Sequence, residues 1–61
     1  MKYREIREKL KDTGFEKVRQ KGSHETWFKP PDTILTISGH DRDTPPIGTE
    51  KQIKKQAGWG K

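Results

Sequence analysis

The stretch Phe15-Glu16-Lys17-Val18-Arg19-Gln20-Lys21-Gly22-Ser23-His24-Glu25-Thr26-Trp27-Phe28-Lys29-Pro30-Pro31-Asp32-Thr33-Ile34-Leu35-Thr36-Ile37 decides the fold. Its middle alternates: His24, Thr26 and Phe28 fall on one side of an extended chain, and Glu25, Trp27 and Lys29 on the other. Lys21-Gly22-Ser23 before it supplies a short turn, and Pro30-Pro31-Asp32 after it stops the strand, because proline cannot donate to a ladder. Thr33–Ile37 is a β-branched strand with Leu35 and Ile37 on one side and Ile34 on the other. Phe15–Gln20 alternates only partially; strict period two puts Val18 on one side and Phe15, Lys17 and Arg19 on the other. Three strands with connections this short predict an antiparallel meander.

Outside this core of strands the period changes. Over residues 1–13, Tyr3, Ile6 and Leu10 make an apolar stripe at helical spacing, flanked by Arg4, Glu5, Arg7, Glu8, Lys9 and Lys11. Gly14 then stands where a left-handed residue closes a helix. Ser38–Pro46 is polar and reads as a loop. A final helix is predicted with Thr49 as N-cap, Gln52 completing a capping box, Ile53 and Ala57 inward, and Gly58 at the closing position, so that Trp59 folds back toward Ile53. The class is therefore α+β, in the order α-β-β-β-α, with both helices packed on one face of the sheet.

Composition limits what such a chain can do. It has 61 residues, of which 25% are hydrophobic and 38% charged, against about 45–50% and 25% in an average globular domain. A chain of this length buries about 60% of its unfolded surface, which leaves no room for a deep internal site or a second domain. A single domain over residues 1–61 is expected. Cysteine is absent, which excludes disulfides, thiolate metal sites and cysteine nucleophiles. No apolar run approaches the ~18 residues of a membrane span, and the expectation is a cytoplasmic protein. The net charge of +5 points to a polyanion or an acidic protein as partner, or to a highly charged soluble surface alone.

Reactive groups are few. His24 and His40 are the two histidines. His24 follows the Gly22-Ser23 turn, with Arg19, Lys21 and Lys29 near it in sequence. An imidazole titrates close to neutral pH and suits proton transfer. RNA carries its own nucleophile, the 2′-hydroxyl, so one base plus cations that steady the phosphate can suffice without a metal. The alternative is an ordinary surface histidine in a hairpin. Gly22 either permits a positive-φ turn or allows close approach of RNA, and Ser23 either bonds phosphate or caps the turn. Trp27 suits base stacking, a partner contact or the core. His40 suits loop anchoring or catalysis, and Lys51, Lys54 and Lys55 either track phosphates or form a solvated helix face.

Several segments together resemble the HicA (YcfA-like) toxins: Gly14-Phe15, Val18-Arg19-Gln20-Lys21-Gly22-Ser23-His24, Phe28 and Pro30, Ser38-Gly39-His40, Pro46-Ile47-Gly48-Thr49, and Ile53-Lys54-Lys55-Gln56-Ala57-Gly58. The resemblance runs from about Tyr3 to Trp59. It implies a double-stranded-RNA-binding-domain-like fold and a toxin that cleaves mRNA and is neutralised by a HicB antitoxin covering its active surface. The family's catalytic histidine corresponds to His24. With it go Arg19, Lys21, Gly22, Ser23 and Lys29 as expected RNA contacts, with no metal and no cofactor. Many relatives carry a second histidine after the first; here Glu25 stands there, an acid expected beside the site that weakens phosphate binding. The rival readings are a non-catalytic RNA-binding module and an antitoxin-binding protein that has lost activity.

Overall fold

The computed structural model describes residues 1–59. Tyr3–Asp12 form helix α1, Glu16–Lys21 strand β1, His24–Lys29 strand β2, Thr33–Ser38 strand β3 and Ile47–Ala57 helix α2. The strands lie in the order β1-β2-β3, antiparallel throughout. Tyr3, Ile6 and Leu10 of α1 and Ile53 of α2 join Phe15, Trp27, Leu35 and Ile37 in one core cluster. Both helices therefore cover the same face of the sheet and leave the other face bare. The expected class and element order hold.

The two helices end in the same way, and for the reason the glycines suggest. At the end of α1, Gly14 takes φ 98, its N–H donates to the Lys11 carbonyl, and the Phe15 N–H donates to that of Leu10. At the end of α2, Gly58 takes φ 79, its N–H donates to the Lys55 carbonyl, and the Trp59 N–H donates to that of Lys54. Each pair of bonds satisfies carbonyls that the helix itself leaves without donors. Phe15 is thereby delivered into the core. Trp59 does fold back and pack against the core cluster, but the polar partners of its indole come from α1 and the residue that follows it: Nε1 donates to Thr13 Oγ1 at 3.3 Å and Lys9 Nζ lies 5.0 Å from the ring centroid.

The start of α2 differs from expectation. The helix begins at Ile47, with Pro46 in the N-cap place (φ −55, ψ 152) and no side-chain cap. The Pro46 carbonyl accepts the first helical bond, from the Glu50 N–H at 2.9 Å. Thr49 and Gln52 thus lie inside the helix rather than forming its box. Proline suits the N-terminal boundary because its missing N–H would have had no helical acceptor there. At the same end the N-terminal ammonium donates to Glu50 Oε1 at 2.7 Å, and Lys54 Nζ is 3.2 Å from Oε2. The hydrogen bonds from the N-terminus and Lys54 hold the Glu50 carboxyl below the usual glutamate range.

β1 also departs from simple alternation. Lys17 is opposite Trp27, but Arg19 is opposite Thr26, so the register shifts at Val18 as in a β-bulge. Lys17 and Arg19 consequently lie on opposite faces of the sheet rather than on one. Lys17 joins Gln20 on the helix side. Arg19 joins Lys21 on the bare side, where Lys21 is opposite His24.

Candidate functional site

The β1–β2 turn has two residues, Gly22 and Ser23, closed by the Lys21–His24 pair. Gly22 takes φ 61 and Ser23 is not at positive φ, the pattern of a type II′ hairpin turn with glycine first. A Cβ at position 22 would meet nothing within 4 Å, so glycine is needed for its conformation and not for space. Ser23 Oγ lies 3.2 Å from Ser38 Oγ, tying the turn to the end of β3.

Cross-strand register sorts the remaining candidates. On the bare face His24 sits between Lys21 and Ser38, Thr26 between Arg19 and Thr36, and Phe28 between Glu16 and Ile34. His24, Lys21 and Arg19 therefore share one exposed surface. Neither cation forms an ion pair among the described residues. Both keep their charge free for an incoming anion. Gly22 and Ser23 lie at the end of that surface. Lys29 does not join it. It is on the helix side of β2, about 16 Å along the strand from His24, and its Nζ lies 5.8 Å from the Phe15 ring centroid. Trp27 is 2% exposed, a core residue and not a partner contact. It is buried because position 27 shares the helix side of the sheet with Leu35 across the ladder.

Glu25 is the largest correction. It is not beside His24 but on the opposite face, 8% exposed, the one buried charged residue among those described. A carboxylate there must be paired and hydrogen-bonded. Arg7 Nε donates to Glu25 Oε1 at 3.0 Å and Trp27 Nε1 donates to the same oxygen at 3.1 Å. The rest of the guanidinium reaches the loop after β3: one nitrogen donates to Asp41 Oδ1 at 2.6 Å and the other to the Gly39 carbonyl. Burial opposes the charge on Arg7, but hydrogen bonds to Glu25 and Asp41 and their Coulomb attraction prevail and raise its pKa. The acid thus anchors the core side of the site and adds no net negative charge next to His24.

The same loop is tied down at further points. The Tyr3 N–H donates to the Asp43 carbonyl at 2.9 Å and the Arg4 N–H to that of Asp41 at 3.1 Å, so the loop satisfies donors that α1 leaves free. Gly39 lies so close to the Tyr3 ring that any Cβ there would overlap it. An open groove forms where this loop meets the hairpin, with Arg7, Lys17, Gln20, Ser23, Ser38 and His40 in its lining.

Sequence reasoning missed Arg7, Lys17 and Gln20 as part of this surface. One signal pointed to Arg7: alternation already placed Glu25 on the Trp27 side, and an acid facing a core requires a cation. The arrangement offers two imidazoles and a pair of mutually bonded hydroxyls at one end of the sheet, with Lys21, Arg19 and Lys17 in no ion pair among the described residues. It suits proton transfer on an anionic substrate.

No curated protein and no solved structure gave a significant match to the chain. A family model described as the HicA toxin of bacterial toxin-antitoxin matches residues 3–59, from the first residue of α1 to the tryptophan folded back after α2. The match takes in both helices, the sheet and the hairpin that carries His24, and the chain belongs to the HicA toxin family.

Proposed function

We propose that the protein is a metal-independent endoribonuclease toxin that cleaves mRNA and so arrests translation, with His24 as the proton-transfer residue and Lys21 and Arg19 as phosphate binders. The observation that carries the reading is the His24 surface itself: an exposed imidazole on a bare sheet face, flanked by two cations that no carboxylate neutralises. Gly22 lets the chain turn with no side chain in the way, and Ser23 presents a hydroxyl at the same end. In this reading His24 takes the proton of the 2′-hydroxyl, the oxygen attacks the adjacent phosphorus, and the cations hold the crowded phosphate as charge builds on it. Lys29 contributes to the general positive field rather than to the phosphate in reaction.

Among the described residues no three His, Cys, Asp or Glu side chains come together as a metal ion would require. The mechanism uses none. RNA fragment yield should therefore be the same in excess EDTA as in magnesium. Complete loss on chelation, restored by a divalent ion, would sink the single-histidine mechanism.

Control falls to a HicB-type antitoxin. No helix among the described residues is long and apolar enough to cross a membrane, and the site is a surface with no loop long enough to close over it. A partner must cover it. The bare face supplies the apolar contact that Trp27 does not: Ile34 is 61% exposed and stands opposite half-buried Phe28, about 13 Å along β2 from His24. An acidic docking face on the partner matches the +5 charge and speeds association at low salt. Diethylpyrocarbonate should label His24 in the free toxin and spare it in the complex. Equal labelling would show that the antitoxin acts elsewhere.

A further inference from the structure

Cleavage by a 2′-hydroxyl forms the P–O2′ bond and breaks the P–O5′ bond. One proton leaves the nucleophile and another must reach the departing 5′-oxygen, so the reaction calls for an acid as well as a base. His24 accounts for one transfer. We infer that His40 is the second catalytic residue, the acid that protonates the 5′-oxygen as it leaves. The inference rests on the ribonuclease reading above and deepens it.

Three observations carry it. First, His40 lines the groove in which the turn residues Gly22 and Ser23 meet Ser38. Ser38 is the register partner of His24, and its hydroxyl is 3.2 Å from that of Ser23. Ser38 thus belongs both to the sheet face that carries His24 and to the groove that holds His40, and a phosphate seated on the two hydroxyls would lie where that face and that groove meet.

Second, the residues on both sides of His40 are held by one side chain. Arg7 donates to the Gly39 carbonyl before it and to Asp41 Oδ1 after it, and the buried Glu25 holds Arg7 in place. The Asp43 N–H also donates to the His40 carbonyl at 2.9 Å. These bonds give the loop the fixed geometry that a catalytic group carried on a loop requires.

Third, the imidazole of His40 makes no hydrogen bond among the described residues. Backbone atoms and the Asp41 carboxylate anchor the loop, and the His40 ring takes no part in it. The charged groups around the groove are Arg7 from α1, Lys17 from β1, Glu25 from β2 and Asp41 from the loop. Both carboxylates are already paired with Arg7, so Lys17, whose Nζ donates to the neutral Gln20 amide at 2.9 Å, keeps its charge to draw the phosphate toward His40.

The test uses two versions of one short RNA that the wild type cuts, identical except that the 5′-bridging oxygen at the cleaved linkage is sulfur in the second. Sulfur leaves without protonation. His40→Ala should lose about 10²–10⁴-fold on the ordinary RNA, as removal of an acid does, and recover to near the wild-type rate on the sulfur-bridged one. His24→Ala should be equally poor on both. His40→Ala keeps every anchoring bond named above, because none of them uses the His40 side chain, and its circular dichroism should match the wild type. Wild-type rates for His40→Ala on ordinary RNA, or an equal defect on both substrates, would overturn the assignment. If the wild type cuts neither RNA, the ribonuclease reading falls and the role of His40 with it.

Discussion

His24→Ala is expected to lower RNA cleavage by about 10²–10⁴-fold, the usual cost of deleting a general acid or base, while RNA binding stays close to that of the wild type. The two effects separate because different atoms produce them. Affinity comes from cations that neutralise phosphates, here Lys21 and Arg19 on the bare face and Lys17 in the groove. The imidazole is exposed and makes no hydrogen bond among the described residues, so its removal leaves the hairpin intact. Titrating fluorescent RNA at several salt concentrations, beside single-turnover cleavage, reads both quantities. The slope of log affinity against log salt should be the same for the two proteins. A variant that loses as much affinity as rate would make His24 a ligand for RNA rather than its catalyst. A variant that cleaves at the wild-type rate would remove His24 from the mechanism.

The second large effect concerns stability. Arg7→Met should cost about 3 kcal/mol, the low end for removing one member of a buried ion pair, because it strands a buried carboxylate. The Glu25 side chain is only 11% exposed and that of Arg7 15%, so solvent does little to relieve the loss. A domain this small seldom holds more than about 3–5 kcal/mol in total, so most of the variant should be unfolded or nearly so at room temperature. Adding Glu25→Gln should restore much of the loss. The neutral amide oxygen can still accept from Trp27 Nε1, and no unpaired charge remains. Asp41 also loses its partner, but at 66% exposure water replaces it. Urea melts of the wild type, the single and the double variant decide the matter. A single variant as stable as the wild type would show that the Arg7–Glu25 contact holds nothing together.

Much of this architecture could be read along the chain because its causes are local. The stripe at Tyr3, Ile6 and Leu10, the alternation through β2 and β3, and the glycines that close both helices each depend on near neighbours. The parts that sequence did not disclose have distant causes. The bulge at Val18 carries no glycine or proline to announce it, yet it sends Lys17 and Arg19 to different faces. Thr49 and Gln52 have the spacing of a capping box, but Pro46, three residues earlier, already bounds the helix. Alternation puts Glu25 on the face away from His24, but the partner that allows a carboxylate to be buried there, Arg7, is eighteen positions away. His24 was legible as a candidate from its turn, and Lys21 and Arg19 from their charge. The place of His40 in the groove depends on bonds spanning more than thirty residues, from Arg7 to Gly39 and Asp41, which no local pattern encodes.

The chemistry of the cut ends tests the central claim most directly. If the 2′-hydroxyl of the RNA is the nucleophile and His24 moves its proton, fragments made by the purified protein in EDTA must end in a 2′,3′-cyclic phosphate, or the 3′-phosphate it hydrolyses to, with a 5′-hydroxyl on the other side. Mass spectrometry of a single defined RNA after digestion reads both ends at once. The account predicts these ends from the wild type and almost no fragments from His24→Ala. A 3′-hydroxyl with a 5′-phosphate would mean that water, and not the RNA itself, is the nucleophile, and would contradict it.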